Sequence, residues 1–476
     1  MTLLKRILLL YTLFFIIPLN ILVAEDIKGE GDDGKADGIF FVNQSMLEPL
    51  FDKLYDLENN KEGKINIVHI GDSHIQADFF TNAIRESLQY KFGNGGFGFT
   101  FPYNLIGTNG PVSVKYACNA QWQSMRNVGA VNDMGIGLSG IALYTSAEDF
   151  ALQLQTAEGF EFNKIKVIYP TVEPQYKASL TAEPLKVSRV GAVTSATGFK
   201  YHKVVGGENL SVIARKHGST ITQIKKANNL TSDKIRAGQT LKIPVKGVAV
   251  KPVVEKLNLD IDSLDCIVLD SMPYFSSYKS DTALNLITLL PVGDRSTYNL
   301  NGFVIENDEP GIVYHSIGVN GAKLSDYAKY PLFFKQLPIL APDLIILSFG
   351  TNESFGRVSQ SEYISQINDF AENIRKYNED AIILVMTPPP SMYRRTRPNT
   401  YILNYTTALT GLEHLPVWDL YTRMGGASGI APKGQFAKMM DRRKIHYTVS
   451  GYRAQGELFT SDFLEAYDNY KKTKKN

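Results

Sequence analysis

The stretch that most constrains this chain is Ile65-Asn66-Ile67-Val68-His69-Ile70-Gly71-Asp72-Ser73, followed by Ala77, Phe80, Ile84 and Leu88 at spacings of three and four. Residues 65–70 are mostly β-branched and nearly unbroken in apolarity, which predicts a parallel strand covered on both faces. The spacing after it predicts an amphipathic helix running to about Phe92-Gly93. Ser73 therefore falls in a strand-to-helix turn. In an open α/β sheet such turns lie at the carboxyl ends of the strands, where ligands bind and a helix amino terminus offers free N–H groups. Two readings of Asp72-Ser73 stay open: a plain helix cap, or a serine nucleophile whose oxyanion meets its own backbone amide.

The strand-and-helix pattern returns late in the chain. Leu344 to Ser348 is apolar, Ser359 with Glu362 forms a capping box, and Ile364, Ile367, Phe370, Ala371 and Ile374 pattern the helix behind it. Ala381 to Met386 is a further strand stopped by Thr387-Pro388-Pro389-Pro390. The expected fold class is α/β with a doubly wound parallel sheet. From about 111 to 311 the pattern changes to short alternating segments such as Ile141-Ala142-Leu143-Tyr144 and Ile165-Lys166-Val167-Ile168-Tyr169, which predicts an inserted β-sandwich or jelly roll. Insertion is tolerated where the chain leaves and re-enters a surface at neighbouring points.

At 476 residues the chain suggests about three domains. Its 44% hydrophobic and 21% charged content is that of a globular protein, and a formal charge of +2 gives no reason to expect a nucleic-acid partner. Lys5 and Arg6 precede an apolar run from Ile7 to about Val23 and then Ala24, as in a secretory signal peptide. Pro18 and Asn20 interrupt that run, so no membrane span is expected in the mature chain. Cys118 and Cys266, the only cysteines, leave one disulfide open. With scattered histidines they give no metal-ligand cluster, and no cofactor is expected. The glycine-rich Gly93-Asn94-Gly95-Gly96-Phe97-Gly98 follows a helix rather than a strand, which argues against a dinucleotide loop. No G-x-S-x-G elbow is present.

The polar turns carry a family resemblance. Gly71-Asp72-Ser73 resembles the first block of the SGNH (GDSL) hydrolases, and the longer run with His74 and Asp78-Phe79-Phe80 resembles their peptidoglycan O-acetylesterase branch. Ile317-Gly318-Val319-Asn320-Gly321-Ala322 is similar to the second block, Gly350-Thr351-Asn352-Glu353 to the third, and His446-Tyr447-Thr448 to the last. The resemblance implies Ser73 as nucleophile, His446 as base, and the N–H groups of Ser73 and Gly321 with the Asn352 amide as oxyanion donors. Gly318 is the fallback for Gly321. The family places an aspartate three residues before the histidine, but here that residue is Arg443. Asp441 is the nearest acid and the candidate to orient His446, with Asp419 as a second choice. His74 is assigned no chemistry.

Inside the β-rich region, Tyr201 to Pro244 reads strand, helix, helix, strand and closely resembles a LysM module. That family binds N-acetylglucosamine-containing glycans between two loops. The resemblance implies Gly207, Glu208, Asn209, Leu210 and Ser211 on one wall of a groove and Asn228, Asn229 and Leu230 on the other. The expected organisation is a signal peptide (1–24), a flexible linker (25–37), a hydrolase domain in two parts (38–112 and 313–470), an inserted β-domain (113–312) and the module within it (200–245). The implied function is an exported, periplasmic or secreted esterase acting on an acetylated cell-wall glycan, most readily peptidoglycan. The alternatives are a wall-binding protein without activity, an O-acetyltransferase, and an acetylesterase for another polysaccharide.

Overall fold

The computed structural model describes residues 40–474 apart from 131–133, 191–196, 247–253 and 259. The expected signal peptide and linker lie outside the described residues. A seven-stranded sheet holds β1 (Phe41–Val42), β2 (Lys64–Gly71), β3 (Asn94–Gly96), β4 (Gly311–Gly318), β5 (Leu344–Ser348), β6 (Ile382–Met386) and β7 (Val417–Trp418) in the order β1-β7-β6-β5-β2-β4-β3. Every pairing is parallel except that of β1 with β7, so the sheet departs from the all-parallel expectation at one edge. β2 lies between β4 and β5. It is the first of the three strands whose ends bear the polar turns and stands between the other two.

Alternate residues of each strand serve two cores, which explains the unbroken apolar runs. Ile65, Ile67, Tyr314, Leu344, Ile346 and Leu384 pack on one face against α1 (Glu48–Asn60), a helix over Phe79–Phe92 and the long terminal helix Val449–Lys474. Val68, Ile70, Ile317, Ile345, Leu347 and Val385 pack on the other, against Ile367, Phe370 and Ile374 of the helix Gln360–Arg375. That second core continues into antiparallel sheets built between residues 98 and 306, including Phe99, Val114, Leu143, Leu154, Val167, Ile287 and Phe303. The glycine-rich segment 93–98 forms edge strands with positive φ at Gly96 and Gly98, where a Cβ would strike backbone.

The β-rich region also contains a small unit with its own core. Thr197–Lys203 and Thr240–Lys246 pair antiparallel and enclose helices Leu210–Lys216 and Ile221–Ala227 around Leu210, Ile213, Ile224, Leu241 and Ile243. Cys118 and Cys266 are not joined: the Cys118 sulfur accepts from the Trp122 indole N–H, and the Cys266 thiol donates to the Leu264 carbonyl.

Candidate active site

The turn after β2 bears out the cap reading at Asp72 and leaves the Ser73 hydroxyl partly exposed. Gly71 is required there, because a Cβ would lie 2.7 Å from the Ser348 carbonyl oxygen. Asp72 caps a one-turn helix (Ser73–Gln76), its carboxylate accepting from the His74 N–H at 2.9 Å. Ser73 opens that turn, half-exposed, at the carboxyl end of β2. The expected helix begins later, at Phe79, because Asp78 adopts φ 61 to receive a bidentate ion pair from Arg85. Arg85 is fully buried and also lies 4.3 Å from the centre of the Phe97 ring. The turn behind the serine is thereby pinned to the sheet.

Ser73 Oγ lies 2.8 Å from His446 Nε2, across 373 residues of sequence. The histidine is delivered by a tight loop: the Asp441 N–H donates to the His446 carbonyl, the Lys444 N–H to the Asp441 carbonyl, and Met440 bridges Tyr447. Because that loop folds back, Asp441 reaches the imidazole although it stands five residues away in sequence. Its Oδ2 is 3.8 Å from His446 Nδ1, within ion-pair range and too long for a hydrogen bond. Asp419 is engaged elsewhere, with Thr387 and the Thr422 N–H.

Ser73, Gly321, Asn352 and His446 line one open cleft of about 660 Å³, with Phe79 and Phe355 among the other walls. Gly321 has φ +86 and open space around it, whereas a Cβ on Gly318 would lie 2.4 Å from the Gln76 nitrogen, so Gly318 is there for close packing. The Asn352 amide donates to Asp72 Oδ2 at 2.8 Å and to the Ala322 carbonyl at 3.0 Å. Sequence reasoning passed over Glu353, whose buried carboxylate accepts from the Leu324 and Gly350 N–H groups, each at 2.9 Å. It ties the segment after Gly321 to the turn carrying Asn352, and its place directly after that asparagine was the available signal.

Burial, then the neighbouring His74, push the His446 pKa below its ordinary value of 6.5, which keeps the imidazole neutral and able to accept a proton. Burial also lowers His74 to about 4. The ring of His74 stands 5.2 Å from that of His446 and bonds through Nδ1 to the Tyr452 hydroxyl, so His74 packs behind the His446 imidazole. Burial raises Asp72 to about 7. No group of three or more His, Cys, Asp or Glu among the described residues is arranged to hold a metal ion.

In the small unit, the expected glycan-contacting residues divide. Leu210 is a core residue, 2% exposed, because it fills the space between the two helices and the strand pair. Glu208 turns inward to the His202 ring at 2.7 Å and the Val205 N–H at 2.9 Å. Asn228 exchanges hydrogen bonds with the Lys242 backbone, and Asn209 caps the first helix. Gly207, Ser211 and Asn229 are exposed and Leu230 is partly so.

Comparison with known proteins agrees with this architecture. Residues 294–454 match the GDSL-like lipase/acylhydrolase family and residues 202–244 match the LysM domain. The chain therefore carries a GDSL-like acylhydrolase domain and a LysM domain. Across 90% of its length it superimposes on 99% of a structure described as a peptidoglycan O-acetylesterase in action, with a TM-score of 0.58 at 21% identity, a likeness of fold. A lipase/acylhydrolase from Enterococcus faecalis (23% identity, 32% of this chain and 75% of that one, TM-score 0.26) and a carbohydrate esterase family 3 protein from Talaromyces cellulolyticus (16%, 33% and 72%, 0.26) are similar only over part of the chain. No curated protein sequence matches. Ser73 lies outside the 294–454 match, so its place in the site rests on its distance to His446.

Proposed function

We propose that the protein is an exported serine esterase that removes acetyl groups from hydroxyls of a cell-wall glycan, peptidoglycan above all. The observation that carries this reading is the 2.8 Å contact of Ser73 Oγ with His446 Nε2 in a cleft shared with Gly321 and Asn352. A serine hydroxyl is a weak nucleophile until a base stands within hydrogen-bond reach. Ser73 Oγ attacks the acetyl carbonyl carbon as His446 takes its proton, and the oxyanion is met by the Ser73 and Gly321 N–H groups and the Asn352 amide. To donate there, Asn352 gives up or shares its bond to the Ala322 carbonyl. The sugar oxygen leaves with the proton from His446. Water, deprotonated by the same ring, then cleaves the acetyl-serine to acetate. Asp441 orients the imidazole across the longer 3.8 Å contact.

In this reading the hydrolase comprises residues 38–112 and 313–470, the β-domain (113–312) interrupts it, and the LysM domain holds the enzyme on its polymer. The location that fits is the cell envelope or its exterior. The whole-chain likeness to a peptidoglycan O-acetylesterase and the LysM match support the choice of polymer. The test is acetate release from O-acetylated peptidoglycan by the full chain and by Ser73→Ala. Release by the first and background by the second is expected. Background release by both would leave a wall-binding protein, the reading that the 3.8 Å gap at Asp441 favours.

A further inference from the structure

We infer that the cleft is rimmed by a cationic docking surface, centred on Arg394, Arg395 and Arg397, that takes carboxylate groups carried by the acetylated glycan. This deepens the esterase reading and rests on it for the identity of the glycan.

The three arginines occupy a short hairpin in which Met392–Tyr393 pairs with Arg397–Pro398. Arg394 and Arg395 sit at its tip with φ 50 and 67, two successive left-handed residues that are not glycine. Side chains disfavour that conformation, so its occurrence at the mouth of a site points toward function. The hairpin is fixed to both catalytic turns. The Met392 N–H donates to the Lys444 carbonyl, two residues before His446, and Asn399 donates to Ser354 Oγ, two residues after Asn352. The Tyr393 ring stacks on Phe355, which lines the cleft, with centroids 6.1 Å apart.

Other cations join the rim. Arg357, also left-handed at φ 57, donates to the Tyr393 hydroxyl at 3.3 Å, and the Arg394 guanidinium lies 5.6 Å from the Tyr393 ring centre. Arg442 and Arg443 are exposed on the loop that delivers His446, and Arg443 is near enough to disfavour the protonated imidazole. Across the cleft, Arg126 donates to the carbonyl of Asn320, a wall residue. None of these arginines takes part in an ion pair among the described residues. Two acids of the neighbouring turns are committed elsewhere: Asp441 faces His446, and Glu353 is buried on backbone N–H groups. Guanidinium forks match carboxylates in a bidentate geometry, and a ring of them without counter-charges favours an anionic ligand. In a peptide-substituted wall glycan the carboxylates belong to the stems.

The probe is a pair of O-acetylated glycan fragments, one with free carboxylates and one with the same groups converted to amides. Binding to the Ser73→Ala full chain is measured by calorimetry, and acetate release by the wild type. The carboxylate form is expected to bind about tenfold tighter, the scale of several exposed charge contacts, with the same ratio appearing in KM. Arg394→Asn with Arg395→Asn and Arg397→Gln, chosen because asparagine tolerates left-handed backbone, brings the ratio to within about twofold of unity. In the unmutated rim, raising the salt to about 0.5 M does the same. Equal binding of the two fragments, or a preference kept by the triple variant, overturns the inference even if the chain has no turnover. Background acetate release by the wild type overturns the esterase reading instead, and the binding ratio then decides by itself for or against the rim.

Discussion

The LysM domain and the candidate cleft are assembled by opposite means. The LysM domain closes its own core within residues 202–244, and its polar side chains are spent largely on local bonds: Asn209 on its helix cap, Asn228 on the neighbouring strand, Glu208 on His202. The cleft draws Ser73, Gly321, Asn352 and His446 from four distant turns that only the shared sheet brings together. A local unit uses polar residues to hold itself in shape. A site collected along a sheet edge can leave them facing a substrate, because the strands behind supply the stability.

That contrast can be broken by mutation. Ser73→Ala is expected to cost about 10⁴-fold or more in turnover with little change in melting temperature, since a half-exposed hydroxyl contributes little to the fold. A large loss of stability would show that the cleft, too, is mainly structural. Leu210→Ala is expected to act the other way, destabilising the LysM domain by about 2–5 kcal/mol through loss of a core side chain. Protease susceptibility within 202–244 and retention on purified sacculi report it. An unaltered domain would place Leu210 in the groove after all.

Smaller effects sharpen the account of the cleft. Asn352→Ala should lower kcat about 10²-fold with KM little changed, as for loss of one oxyanion donor. A change confined to KM would make the residue a ground-state contact. Asp441→Asn should cost about tenfold, well short of what the buried acid of a close triad contributes, because its contact with His446 is 3.8 Å and not a hydrogen bond. The pH profile gives the smallest shift. Burial lowers the His446 pKa, activity needs the neutral ring, and so the rate falls as pH drops through a value below 6.5. An acid limb at or above 6.5 would mean that the ring is more hydrated or better paired than the structure has it.

The sequence was most readable where neighbours in the chain are neighbours in space. The strand at 65–70, the helices of the LysM domain and the Ser359 cap follow from periodicity and local hydrogen bonding. The antiparallel edge strand at Phe41–Val42 was not readable, because its register is set by partners near residue 417. Asp441 was the sequence's candidate to orient His446 although its spacing departs from the family's, and the folded-back loop brings its carboxylate to 3.8 Å from the ring. The groove residues of the LysM domain show the converse limit. Position in a motif placed Leu210, Glu208 and Asn228 on its walls, while packing buries Leu210 and local hydrogen bonds engage the partly exposed Glu208 and Asn228.

The most direct measurement is the rate at which a fluorophosphonate acylates the native chain, with the modified residue located by mass spectrometry. The account predicts one labelled residue, Ser73, and a rate about 10²-fold or more lower in His446→Ala. Label on another residue, or equal rates in the two proteins, would contradict it.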